Sequence, residues 1–215
     1  MELSKRQFRW MLGALLTFSA TAGLSVVINA GLHGWHLNTS ISRYVGMETW
    51  SALMFGLGNI LVVTLIGKYL YAVGRAWQLP RWYYWLVVLM AVGLLGVSVC
   101  PMGYFSVRGL GTLPDRIHEL SSRTMFICML LVALVVAFCR RAGTGTRIAS
   151  LVFALYGLFC VAGYLSHAGW FSGHLLVFET VYIIGFMIVG LGFQTKIRNK
   201  VKKVERSKHG RQKTD

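Results

Sequence analysis

Long apolar runs separated by short polar connections set the pattern of this chain. Six stretches, about residues 10–31, 50–73, 82–100, 120–139, 147–166 and 174–194, are apolar around the whole helical circumference rather than along one stripe. Each approaches the roughly 20 residues that cross a hydrocarbon core as a helix. The runs lack the alternation a lipid-facing barrel needs, and inside lipid a helix satisfies its own backbone polar groups. The pattern therefore predicts an all-α integral membrane protein, a six-transmembrane-helix bundle over 1–195, followed by a polybasic tail at 196–215. Pro80, Pro101 and Pro114 all fall in connections, so no span is broken by proline.

The N-terminus imitates a secretory signal, with Lys5, Arg6 and Arg9 before "WMLGALLTFSATA" and Ala20-Thr21-Ala22 in place of a cleavage site. The apolar run nevertheless continues through "GLSVVINAGL" to spanning length. An uncleaved first span is the expectation.

Composition sharpens this picture. Of 215 residues, 55% are hydrophobic and only 13% charged, and the charges are bunched. The net charge of +15 would suit a nucleic-acid partner, but placement argues against one, because nine of the 22 basic residues lie in the segment 196–213. A polybasic segment directly after a span is expected to fix topology and to hold anionic lipid headgroups. Ile197, Val201 and Val204 recur there at helical spacing, which allows a short surface helix as well as a solvated tail. Cys100, Cys128, Cys139 and Cys160 have no metal-type spacing and imply no disulfide framework.

Basic residues in short connections set orientation. Eighteen Lys and Arg fall on the side shared by the two termini and the even connections, against Arg43, Arg108, Arg116 and Arg123 on the other. Both termini are expected to be cytoplasmic, and the short loops suit a bacterial inner membrane. His33, His36, His118, His167 and His174 then lie on or near the outer face, with Glu48, Asp115, Glu119 and Glu179.

Candidate chemistry collects at that face. In "LPDRIHEL" (113–120), Asp115 precedes His118 by three positions, so the two share a helical face, and a carboxylate there could fix the imidazole tautomer. Ser121 and Ser122 follow one turn later. Glu179, about five residues into the sixth span, is costly at that depth and should face the bundle interior or a wet cavity. Arg123 is a natural partner for Glu48 or Glu179. The residues that would form an outer binding site are thus Glu48, Asp115, His118, Arg123, His167, His174 and Glu179, with Trp35, Trp50 and Trp170 at its rim.

The expected function is binding of a lipid headgroup or small polar ligand from the outer leaflet, with no cofactor. The alternative is a zinc-dependent membrane-embedded hydrolase acting on a lipid, with His118, His167 and His174 as ligands. No HExxH or comparable ligand pair supports it. A small-solute transporter is a further alternative, although the spans hold few strongly polar groups beyond Asn59 and, near the outer end of the first, Asn29, and Asn59 suits an interhelical hydrogen bond. Gly56, Gly58, Gly93, Gly96, Gly185, Gly190 and Gly192 suit close helix contact.

The stretch "NTSISRYVGMETWSALMFGLGNILVV" (38–63) carries Ser42, Tyr44 and Gly46 before the second span. Cys100-Pro101 ends the third, and His118 leads into the fourth. Over about 38–139 this resembles the six-span superfamily that includes the DRAM-like and post-GPI-attachment-type proteins and a bacterial branch. Arg43 stands where that pattern has an acidic residue. The resemblance implies six helices with cytoplasmic termini and brings no enzyme activity with it.

Overall fold

The structure is a computed structural model and describes residues 5–192. The 196–213 segment with its expected lipid contacts lies outside the described residues, as do the last two residues of the sixth predicted span. The chain runs through α1 (Lys5–His33), α2 (Ile41–Met47), α3 (Thr49–Trp77), α4 (Arg81–Val99), α5 (Leu113–Phe138), α6 (Thr144–Leu165), α7 (Gly169–Ser172) and α8 (Leu175–Gly192). Helix is the only regular structure among the described residues. Six of these helices, α1, α3, α4, α5, α6 and α8, are long and apolar enough to cross a membrane. The protein is a polytopic, all-helical membrane protein.

The helix ends follow from local chemistry. At the end of α3, Gln78 takes a left-handed conformation (φ 53°) and Leu79 N–H bonds back to the Gly74 carbonyl, closing the helix before Pro80 starts α4. Three residues therefore suffice to turn the chain back. The end of α6 repeats the device. His167 is left-handed (φ 49°), and the His167 and Ala168 N–H groups return to Tyr164 and Gly163.

Two differences from the sequence pattern concern the same end of the bundle. α5 begins at Leu113 rather than near 120, so "LPDRIHEL" is already helix. Pro114 in the first turn has no N–H to leave unpaired, and Asp115 favours the positive helix start. α2 is the other difference, a seven-residue helix in a stretch that reads as connection. Its start is marked by Ser40, whose hydroxyl accepts the Arg43 N–H. His33, expected in a loop, is the last residue of α1.

α4 packs most closely on α5 and α1 on α3, with α5 on α6 and α3 on α4 completing the chain-order contacts. Small residues permit this. A Cβ at Gly93 would come within 2.7 Å of the Ser121 carbonyl oxygen, and at Gly58 within 2.6 Å of Thr21. A Cβ at Gly192, by contrast, would meet no described atom within 4 Å. α8 joins the far parts of the chain. Tyr182 lies against Phe126 and Phe153 and donates to the Phe126 carbonyl, while Tyr69 of α3 donates to the Gly190 carbonyl. Leu57, Leu61, Trp85, Val92, Leu155 and Ile188 remain exposed, as a lipid-facing perimeter requires.

Asn59 departs from expectation. It is fully buried, and neither amide atom has a hydrogen-bond partner. Thr21 and Ser98, on helices that pack against α3, donate their hydroxyls to carbonyls four residues back in their own helices. Replacing Asn59 by the similarly sized Leu removes the unpaired group, so Asn59→Leu should gain on the order of 1 kcal/mol. A higher thermal midpoint in detergent is the expected result, and a lower one would show that Asn59 has a role the bundle needs.

Candidate functional site

Of the predicted site residues, His118 and Glu179 contact the short helix α2, and Asp115 holds the α4–α5 connection beside it. The backbone and side chains of α2 are held by hydrogen bonds from four of the spans. Asn29 of α1 donates to the Tyr44 carbonyl at 2.8 Å. Ser51 of α3 donates to the Val45 carbonyl at 2.6 Å. Glu179 of α8 accepts the Ile41 N–H at 2.8 Å through Oε2. From the α4–α5 connection, Arg108 reaches the Gly46 and Met47 carbonyls at 3.5 and 3.3 Å while lying over the Tyr104 ring. The Tyr44 hydroxyl ties the loop ahead of α2, accepting from the His36 N–H and facing the Gly34 carbonyl.

The fifth helix supplies the most specific contact. His118 is buried, with Nδ1 2.7 Å from the Cys100 carbonyl oxygen and Nε2 3.0 Å from Ser42 Oγ. A carbonyl only accepts, so Nδ1 carries the hydrogen, and in the neutral ring Nε2 must accept from the Ser42 hydroxyl. Ser42 Oγ in turn lies 3.0 Å from Ser40 Oγ. The result is a directed chain, Ser40 to Ser42 to His118 to Cys100, in which each hydrogen points the same way. Asp115 does not touch the imidazole as its spacing predicts. Its Oδ1 accepts the Gly103 N–H at 2.8 Å and so holds the loop that presents the Cys100 carbonyl. The Cys100 thiol itself is pushed above the usual thiol range by burial, with the Asp115 charge adding to the effect, and stays protonated at neutral pH.

Other predicted residues fall outside this cluster. Arg123 pairs with neither Glu48 nor Glu179. It bonds Glu119 one turn back on the same helix and the Tyr164 hydroxyl at 2.7 Å, because a partner four residues away on one helix needs no chain excursion. Glu48 meets His33 at 3.1 Å on the exposed surface. His167 is exposed at the α6 terminus, and His174 is exposed with Nδ1 3.1 Å from the Trp170 carbonyl oxygen. His118, His167 and His174 therefore do not converge. Among the described residues no group of three or more His, Cys, Asp or Glu side chains is placed to hold a metal ion. Ser42 has no place among the predicted binding residues. Its spacing pairs it with nothing in sequence, and its partner is 76 positions away. Trp35, Trp50 and Trp170 are exposed at this end, and Trp170 stacks on Phe159 with ring centroids 4.8 Å apart.

No family model, no curated protein and no solved structure matches the chain. What the site can do must be read from its own geometry. It offers a carboxylate with one neutral partner, a serine aligned on a histidine, and a small helix that carries the serine and bonds the carboxylate.

Close approach of the α4–α5 connection depends on Gly46, where a Cβ would stand 2.6 Å from the Met102 carbonyl oxygen. Gly46→Ala should push α2 off its seat at a cost of about 1–3 kcal/mol. Hydrogen exchange of the 41–47 amides is expected to speed up by at least about fivefold, in line with that cost. Unchanged exchange would mean that α2 is not held by this contact.

Proposed function

We propose that this membrane protein binds an amine-bearing polar lipid headgroup at the α2 end of the bundle, with Glu179 as the charged contact, and that this end faces outward from a bacterial inner membrane. The distribution of basic residues supports the orientation. Lys68, Arg75, Arg81, Arg140, Arg141 and Arg147 belong to the opposite end, where the positive-inside rule expects them. The exposed Trp35, Trp50 and Trp170 suit the headgroup layer.

One observation carries the ligand chemistry. Glu179 is a half-buried carboxylate inside a spanning helix, its hydrogen bond is to a neutral backbone N–H, and among the described residues no cation lies within 4.0 Å of it. Ionisable groups at such positions are normally paired or line a polar pathway. Arg123, the partner the sequence suggests, is committed to Glu119 and Tyr164. An ammonium headgroup supplies the missing charge. A carboxylate has acceptor sites to spare beyond the one taken by the Ile41 N–H, so an ammonium can share Glu179 while α2 stays seated.

Native mass spectrometry tests this with equal amounts of phosphatidylethanolamine and phosphatidylglycerol added to the detergent-purified protein. The wild type should retain phosphatidylethanolamine preferentially. Glu179→Gln should weaken that retention by about tenfold or more, the loss of a charge-assisted hydrogen bond of about 1.5–3 kcal/mol. Equal retention of phosphatidylethanolamine by wild type and variant would overturn the assignment.

A further inference from the structure

We propose that Ser42 and His118 form a nucleophile–base pair for acyl transfer, attacking carboxylic esters of membrane lipids at the α2 end. This chemistry goes beyond binding. It stands on Ser42, His118 and the Cys100 carbonyl, and only its substrate class rests on the headgroup reading above.

Two distances carry it. Ser42 Oγ lies 3.0 Å from His118 Nε2, and His118 Nδ1 lies 2.7 Å from the Cys100 carbonyl oxygen. Nucleophilic serines need an adjacent base whose far nitrogen is held as a donor, so that the near nitrogen presents its lone pair to the hydroxyl. Here the backbone carbonyl takes the place that a carboxylate fills in a Ser–His–Asp triad. It fixes the tautomer without adding a charge, which suits a site at the edge of lipid. The loop that presents this carbonyl is held by Asp115 through the Gly103 N–H, making Asp115 a positioning residue. Ser40, at 3.0 Å, donates to Ser42 Oγ and leaves the Ser42 hydrogen directed at His118.

The reaction balances with no group beyond an ester and water. Ser42 Oγ attacks the ester carbonyl carbon while its proton passes to His118 Nε2. The bond from that carbon to the lipid alcohol oxygen breaks, and His118 returns the proton to the departing alcohol, leaving an acyl-serine. Water then attacks the acyl carbon, with His118 as base, releasing a carboxylic acid and regenerating the serine. Ser42 and His118 are 6% and 4% exposed, so the ester must displace neighbouring side chains to reach them while α2 stays seated on His118.

The test incubates the full-length protein in detergent with an alkyl fluorophosphonate, which phosphonylates activated serines with loss of fluoride, and maps the adduct by peptide mass spectrometry. The expected result is modification of Ser42 in the wild type. Its rate should rise as pH rises through imidazole deprotonation and fall at least tenfold in His118→Gln. The wild-type adduct map and pH profile decide the matter even if that variant does not fold. No adduct on Ser42, or a rate indifferent to pH across the imidazole range, overturns the proposal. Retention of phosphatidylethanolamine with no adduct defeats the dyad and leaves the binding site. An adduct without such retention supports the dyad and reassigns its ester.

Discussion

A short helix laid across the end of a membrane bundle brings its unpaired terminal N–H and C=O groups with it, and at the edge of lipid those groups need partners from the protein. That constraint organises the whole α2 end of the molecule. Each span near α2 contributes a polar side chain that would otherwise be out of place: Asn29 from α1, Ser51 from α3, His118 from α5 and Glu179 from α8. The α4–α5 connection adds Arg108 from the outside. Only a helix seated in this position makes all of these groups useful at once.

The spans are legible in the sequence because lipid imposes one length and one polarity on them. The structure differs from the pattern mainly at α5, which begins seven residues before the predicted 120–139 span with Pro114 in its first turn. α2 is not legible. Seven residues carry too few positions for periodicity to show, and only Ser40 hints at a helix start. In sequence Ser42, Tyr44 and Gly46 form no more than a short degenerate signature. In the fold each has a distinct physical role, since Ser42 meets His118, Tyr44 ties down the preceding loop, and Gly46 admits the Met102 carbonyl.

The site residues show the same division. Glu179 stands out by depth alone, since a carboxylate within a span needs a reason, but its partner is a backbone N–H and backbone partners leave no trace in composition. His118 stands out too, although the sequence suggests the wrong orienting group. Helical spacing points to Asp115, whereas a carbonyl 18 residues away lies closer and Asp115 is spent on holding that loop. Arg123 fails as a cross-bundle partner because Glu119 is one turn away. The histidines that look alike in sequence separate into one buried and hydrogen-bonded at both nitrogens and others that end helices or face solvent.

Both the binding site and the dyad require α2 to be seated at an outward-facing end with one side covered. Cysteine accessibility tests this directly, using right-side-out vesicles, a membrane-impermeant maleimide and a background in which Cys100, Cys128, Cys139 and Cys160 are replaced by serine. Arg43 is exposed and Val45 fully buried on the same short helix. Rapid labelling of Arg43→Cys and slow labelling of Val45→Cys are expected. Equal labelling at both positions would contradict the seating of α2, and labelling of Arg43→Cys only in inverted vesicles would contradict its outward orientation.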